Sequence, residues 1–65
     1  MKVTYDPEVD VLNIVLKEST VEESDESKPG IIFDFDKAGD IVNIEILNAS
    51  KRINNPRSVE YAVTA

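Results

Sequence analysis

The chain has 65 residues and contains no cysteine, no histidine, no tryptophan and only two glycines. Without cysteine there are no disulfides and no thiolate metal sites. Without histidine, the base that most nucleophilic triads use is missing. Two glycines are too few for a Walker loop or a dinucleotide fingerprint. These absences exclude most familiar catalytic sites, and we predict a non-catalytic protein without a cofactor.

The charge is strongly one-sided, with thirteen acidic against seven basic residues and a net charge of −6. A nucleic-acid binder needs a basic face, and anionic membranes repel an acidic protein, so we expect neither as a partner. A basic protein partner is compatible with this charge. Met1 and Lys2 lead into polar sequence without the apolar segment of a signal peptide, and no apolar run approaches the about 20 residues that span a bilayer. We therefore predict a cytoplasmic protein.

Two stretches of the chain, 5–16 and 35–46, align without a gap at an offset of 30 residues. Four positions are identical in the two stretches: Asp6 and Asp36, Asp10 and Asp40, Asn13 and Asn43, Ile14 and Ile44. Such self-similarity predicts one supersecondary unit used twice, here a β-hairpin. The alternative is chance similarity, because few residue types suit a tight turn.

Apolar and polar residues alternate on both sides of each turn, as they do in half-buried strands. The inward row is predicted to contain Val3, Tyr5, Leu12, Ile14, Leu16, Phe33, Phe35, Val42, Ile44 and Ile46. In the second hairpin, Asp36 begins a type I turn that Gly39 closes with a positive φ. Val9 occupies the position of Gly39 in the first hairpin, so we expect that turn to close differently. The predicted fold is α+β, a small antiparallel sheet of four to five strands built from two β-hairpins, with one short helix.

The chain is predicted to be a single domain, residues 1–65, with its parts in the order hairpin 2–16, acidic connection 17–30, hairpin 31–47, short helix 48–53 and tail 54–65. The connection is rich in Ser and Glu and is expected to be solvated and mobile. Asn48 is expected to cap the helix. In the tail, Val59, Tyr61 and Val63 alternate with other residues and predict a strand. Asn55 and Pro56 could instead open a helix.

One stretch resembles the calcium loop of an EF-hand. Counted from the first acid, five positions fit the loop, namely Asp34, Asp36, Gly39, Ile41 and Glu45, while Ala38 does not. The flanks have the period of strands, whereas an EF-hand loop lies between helices, so a weak calcium site in the Asp34–Glu45 hairpin is only an alternative. The same acids could form a catalytic carboxylate pair, but no apolar pocket that would raise a carboxyl pKa is evident.

Two sets of residues are candidate partner contacts. Lys51, Arg52 and Arg57 form the only basic cluster, which could contact an anion or a partner, or could simply complement a helix end. Val11, Val15, Ile32 and Ile41 fall on the face opposite the inward row, where the helix, the tail or a second copy of the chain must cover them. A domain of this size buries only about 60% of its unfolded surface, so we expect a homodimer.

The segments "YDPEVDVLNIVL" and "PGIIFDFDKAGDIVNIEILNASKR" resemble a prokaryotic family of domains of unknown function, number 2283. The resemblance covers nearly the whole chain. It is carried by Tyr5, Asp6, Asp10, Asp34, Asp36, Gly39, Ile44, Glu45, Ile46, Ala49, Ser50, Lys51 and Arg52. Val9 and Asn13 depart from the small and aromatic residues expected there, and the tail after Asn54 matches least.

The resemblance implies a small antiparallel α+β domain and brings no established activity. Some similar proteins are paired with toxin-like proteins, which implies an antitoxin-like or accessory role beside a basic toxin-like partner. Taken with the residues themselves, this predicts a small non-catalytic protein-interaction module.

Overall fold

The alternating segments fold as two hairpins that lie side by side in one antiparallel sheet. The computed structural model describes residues 1–65. The elements are β1 (Lys2–Asp6), β2 (Val11–Val15), β3 (Glu23–Lys28), β4 (Ile31–Phe35), β5 (Ile41–Leu47) and α1 (Ala49–Arg52). The strand order across the sheet is β1-β2-β5-β4-β3. This confirms the predicted small α+β fold with five strands and one short helix.

The sequence repeat is also a structural repeat. In the first hairpin Val3 pairs with Ile14, and in the second hairpin Phe33 pairs with Ile44, so the two registers agree at the offset of 30 residues. The two hairpins join through β2 and β5, where Ile14 lies directly opposite Ile44. An internal pseudo-two-fold axis therefore passes between these two equivalent isoleucines, perpendicular to the sheet. The duplicated-hairpin interpretation is confirmed.

One face of the sheet is apolar, and we call it the apolar face. Its members are Val3, Tyr5, Leu12, Ile14, Ile31, Phe33, Phe35, Val42, Ile44 and Ile46, as the strand registers place them. The rings of Phe33 and Phe35 lie side by side with centroids 6.5 Å apart. The predicted inward row is thus confirmed within the strands. Leu16 is the exception, because it follows the end of β2 and is 39% exposed.

The sheet is a single layer with a very small core. The only buried hydrophobic residues are Leu12, Val42 and Ala49. The radius of gyration is 12.6 Å, compared with about 11 Å for a compact domain of this length. The molecule measures 36 × 32 × 18 Å along its principal axes. Most side chains of the apolar face are consequently only half-buried.

The two turns close at different positions, as predicted. In the second turn the Gly39 N–H donates to Asp36 O at 3.0 Å, and Gly39 has φ 88°. In the first turn the positive φ falls one residue later, at Asp10 with φ 58°. Val9 thereby avoids the left-handed conformation that a β-branched residue adopts only with strain.

Part of the acidic connection proved to be a strand. Residues 23–28 form β3, which pairs with β4 along the edge of the sheet. All six side chains of β3 are exposed, so no apolar alternation marks the strand in the sequence. Backbone pairing with β4 orders this segment, since an edge strand needs no buried side chains. The prediction of a mobile connection across 17–30 was therefore wrong for these residues.

The helix and the tail also differ from the predictions. Helix α1 has only four residues; Asn48 has φ 53°, and its side chain makes no capping hydrogen bond. The tail contains neither the predicted strand nor the alternative helix. Asn55 Oδ1 instead accepts a hydrogen bond from Arg57 N–H in a short turn. The alternating residues beyond it pair with no strand, and alternation alone does not supply backbone partners.

Candidate interaction surfaces

The apolar face is the largest feature that the fold leaves without a covering element. Helix α1 lies at one end of the sheet, tied to the β1–β2 turn and to the β3–β4 turn. Ala49 N–H donates to Asp10 O at 3.0 Å, and Arg52 Nη2 donates to Pro29 O at 2.6 Å. In the tail, the Arg57 guanidinium stacks 5.8 Å from the centre of the Tyr5 ring. These contacts cover the end and one edge of the face and leave its centre half-exposed.

The opposite side of the sheet, which we call the polar face, carries a hydrogen-bonded row of side chains. Asn43 Nδ2 donates to Asn13 Oδ1 at 3.0 Å and to Asp34 Oδ2 at 3.2 Å. Ser24 Oγ donates to Asp34 Oδ1 at 2.6 Å. The row crosses four strands, and Asn43 Oδ1 is buried without a partner. The sequence identified these two asparagines only as matched positions of the repeat, because their contact depends on how the hairpins pair.

The four apolar residues predicted for this second face lie around the polar row. Val11, Val15 and Ile32 point to the same side as Asn13 and Asn43, by the alternation of their strands. Ile41 lies opposite Phe35, where the pairing of β4 and β5 is irregular. All four are half-buried. They flank a polar centre and do not form a continuous apolar patch, and their predicted contact with a second subunit stays a prediction.

Asp10 fastens helix α1 to the first turn. Its carboxylate accepts hydrogen bonds from Tyr5 OH at 2.7 Å, Ser50 N–H at 2.9 Å and Ser50 Oγ at 2.7 Å. The Tyr5 hydrogen bond, followed by those from Ser50, lowers the pKa of the Asp10 carboxyl. The same bond to Asp10 raises the pKa of the Tyr5 hydroxyl. Asp10 thus does the capping that the sequence assigned to Asn48, and no local pattern signals a cap 40 residues away.

Asp36 holds the connection that leaves β2. Its carboxylate contacts Lys17 Nζ at 2.7 Å and accepts from Ser19 Oγ at 3.3 Å and from the amides of Ala38 and Asp40, both at 3.0 Å. The Lys17 ammonium is the main cause of the lowered pKa of Asp36, followed by the Asp40 amide. Asp36 in turn is the main cause of the raised pKa of Lys17. The residue is only 8% exposed, and these contacts satisfy its buried carboxylate.

The acids of the calcium alternative do not come together. Asp34 bonds with Ser24 and Asn43 on the polar face, while Asp36 bonds with Lys17 in the turn. No group of three acidic side chains lies close enough to hold a metal ion. The turn is flanked by strands β4 and β5, which is not the helical setting of an EF-hand loop.

Residues 2–50 match a family described as "Protein of unknown function (DUF2283)". The chain belongs to the DUF2283 family. It is also 46% identical over 54 residues to an uncharacterized protein of Methanocaldococcus jannaschii, an alignment that covers 83% of this chain. The chain spans about half of that relative, 46% of its length. No solved structure matches.

The DUF2283 match contains all five strands and ends within α1, so the predicted basic cluster lies beyond it. Two residues of the basic cluster have structural contacts: Arg52 with Pro29 O, and Arg57 with the Tyr5 ring. Lys51 is exposed, and its charge helps to lower the pKa of Asp10 after the stronger hydrogen bonds. The predicted role of the cluster as a partner contact stays a prediction.

Two open depressions mark the surface of this DUF2283 domain. One, of about 430 Å³, lies beside β3 and is lined by Glu22, Glu23, Asp25, Phe35 and Asp36 among others. The other, of about 290 Å³, lies between β1 and the tail. Both are open to solvent. No helix in the structure has the length and apolar character needed to cross a membrane.

Proposed function

We propose that this DUF2283 protein is a non-catalytic protein-interaction domain that acts as a homodimer and binds a protein through its apolar face. The observation that carries the proposal is the amount of exposed surface. The chain exposes 5078 Å², about 1,000 Å² more than a folded monomer of this length. A standard protein interface covers about 800 Å² on each partner.

The charged clusters support a role without catalysis. Each strongly engaged carboxylate has a structural task, Asp10 at α1 and Asp36 at the connection. Their lowered pKa values keep them ionised, whereas general-acid catalysis near neutral pH calls for a raised one. The cytoplasmic location stays a prediction. The absence of nucleic acid and membrane among the partners also stays a prediction, and it rests on the net charge of −6.

The test uses two neighbouring residues of β2 that point to opposite faces. Ile14 lies on the apolar face opposite Ile44, and Val15 lies on the polar face opposite Asn43. Tagged wild type, Ile14→Gln and Val15→Gln would serve as baits in native extract, with mass spectrometry of the bound proteins. We expect a partner that wild type and Val15→Gln retain and Ile14→Gln loses.

Circular dichroism and thermal melts would confirm that each bait is folded. If the folded Ile14→Gln and Val15→Gln variants retain the same proteins equally, the apolar face is not the binding surface. The homodimer is tested separately by sedimentation in moderate salt, which screens the repulsion between acidic chains. A monomer at high micromolar concentration, with a melting temperature that does not change on dilution, would contradict self-association.

A basic protein partner is the second candidate, and the charge of β3 favours it. Glu22, Glu23, Asp25 and Glu26 are all exposed along this edge. This would fit the antitoxin-like or accessory role beside a basic toxin-like protein. The double substitution Glu22→Gln/Glu23→Gln should weaken such a complex and reduce its salt dependence, measured by calorimetric titration. A complex whose affinity is the same in low and high salt would argue against it.

A further inference from the structure

The two outer strands of the sheet differ in their protection against pairing with another strand. Strand β3, with the sequence ESDESK, is exposed throughout, and its pairing shifts between Asp25 and Lys28. Charges and irregularities of this kind discourage edge-to-edge pairing. Strand β1 pairs regularly with β2 along its whole length. Its middle residues Val3, Thr4 and Tyr5 carry no charge, so β1 is the less protected edge.

The hydrogen bonds of β2 show which groups of β1 have no partner. Leu16 N–H donates to Val42 O at 2.8 Å. Alternate residues of an antiparallel strand bond to opposite neighbours, so Leu16 and its alternates bond to β5, and Val11, Asn13 and Val15 bond to β1. In the observed register that set is paired with three residues of β1, Lys2, Thr4 and Asp6. The N–H and C=O groups of Val3 and Tyr5 therefore point away from the sheet.

The repeat shows what is missing beside β1. Phe33 and Phe35 of β4 are the equivalents of Val3 and Tyr5 at the offset of 30 residues. Their outward backbone groups face β3, as the hydrogen bond from Glu22 N–H to Phe35 O at 2.8 Å shows. The second hairpin thus has a strand along its outer edge where the first has none.

We propose that β1 of a second copy occupies this edge, antiparallel to the first β1 and related to it by a two-fold axis at Thr4. Val3 then lies opposite Tyr5 of the second copy, and these residues form backbone hydrogen bonds in both symmetric positions. Lys2 lies opposite Asp6 of the second copy, again twice. Cross-strand pairs of opposite charge stabilise a sheet. The β1 sequence is therefore complementary to itself about this axis, as a closed two-fold dimer requires.

This pairing of the two β1 strands, which we call the β1 joint, produces one continuous ten-stranded sheet. Because the two-fold axis is perpendicular to the sheet, the apolar faces of both copies lie on the same side and form one surface. The inference deepens the proposed homodimer by naming its contact, and it leaves the apolar face free for the proposed protein partner. The Arg57 guanidinium over Tyr5 lies beside the joint on this side.

The charge pairs provide the test. Lys2→Glu places two carboxylates opposite each other in both symmetric positions, and Asp6→Lys places two ammonium groups there. We expect each variant to dimerise about tenfold more weakly than wild type at low salt. An equimolar mixture should regain dimerisation, because both pairs in the mixed dimer have opposite charges. Lys37→Glu in the β4–β5 turn makes the same change in net charge as Lys2→Glu and should dimerise like wild type.

Sedimentation equilibrium measures the dissociation constants, and circular dichroism confirms the fold, since Asp6 also accepts a hydrogen bond from Glu8 N–H. Amide exchange gives a second readout: the Val3 and Tyr5 amides should gain protection as protein concentration rises. The β1 joint would be overturned, and the homodimer kept, by either of two results. One is that Lys2→Glu weakens dimerisation no more than Lys37→Glu does. The other is that the equimolar mixture of Lys2→Glu and Asp6→Lys does not regain dimerisation. A monomeric wild type would overturn both.

Discussion

The two hairpins of this DUF2283 domain share one register but have different surroundings. Their strand pairs agree at the offset of 30 residues except beside the second turn, where the pairing of β4 and β5 shifts between Asp34 and Phe35. The two buried strand residues, Leu12 and Val42, are also equivalents at this offset. The second hairpin carries β3 on its outer edge, whereas no strand lies along the outer edge of the first. The repeat therefore determines strand pairing, and the segments outside the repeat determine which surfaces remain available for binding.

The turn aspartates of the two hairpins contact segments that lie outside the strands of the repeat. In the second turn Asp36 holds Lys17 and Ser19, which follow β2 of the first hairpin. In the first turn Asp10 holds Ser50, which follows β5 of the second hairpin. Each turn thus fastens the segment that leaves the other hairpin. Asp10 and Asp36 are not equivalent positions of the repeat, so the two segments are fastened through non-equivalent residues.

The largest effect should come from truncating the equivalent buried residues. Leu12→Ala should lower the free energy of unfolding by about 2 kcal/mol or more, because it removes buried carbons and leaves a cavity. Val42→Ala removes fewer carbons and should cost about 1.5 kcal/mol. Urea denaturation followed by circular dichroism measures both. Loss of less than about 0.5 kcal/mol in Leu12→Ala would show that this position is not part of the core.

An exchange of the two turn residues should have a smaller effect and should be asymmetric. Gly39→Val places a β-branched residue at φ 88°, where no atom lies within 4 Å of the new Cβ, so the cost is conformational. We expect a loss of about 1–2 kcal/mol in the free energy of unfolding. Val9→Gly changes a residue that is 61% exposed and does not have positive φ, and it should cost less than about 1 kcal/mol. Equal losses would contradict the different closure of the two turns.

The hairpins and their register could be predicted from the sequence, because one face is apolar and a shift by one residue would expose it. The positive φ at Gly39 followed from the turn chemistry of Asp36 and Gly39. The apolar face, the candidate binding surface of the proposal, is the same set of residues as the predicted inward row apart from Leu16 and Ile31. These features depend on neighbours that are close in sequence.

Strand β3 and the capping role of Asp10 could not be predicted in the same way. The side chains of β3 are all polar and exposed, so its order comes from backbone bonds to β4. The bond between Asp10 and Ser50 joins residues 40 positions apart and forms only after β2 and β5 pair. In the tail, by contrast, the sequence predicted a strand that does not form. Val59, Tyr61 and Val63 alternate as strand residues do, but they pair with no strand.

The smallest effect should distinguish the equivalent aspartates Asp36 and Asp6, and for Asp36 it should depend on pH. Asp36, with its pKa lowered below 3.8 mainly by Lys17, stabilises the fold fully above pH 3.8, and this stabilisation is lost as pH falls through its native pKa. Asp36→Asn removes the charge. The difference in melting temperature between wild type and this variant should therefore be largest near pH 7 and should decrease in acid. Asp6 Oδ1 accepts a hydrogen bond from Glu8 N–H, which an asparagine oxygen can also accept, so at pH 7 Asp6→Asn should change the melting temperature less than Asp36→Asn does. Calorimetric melts from pH 7 to pH 2 measure both differences. An Asp36→Asn difference that stays constant over this range would show that the Lys17 contact does not stabilise the fold.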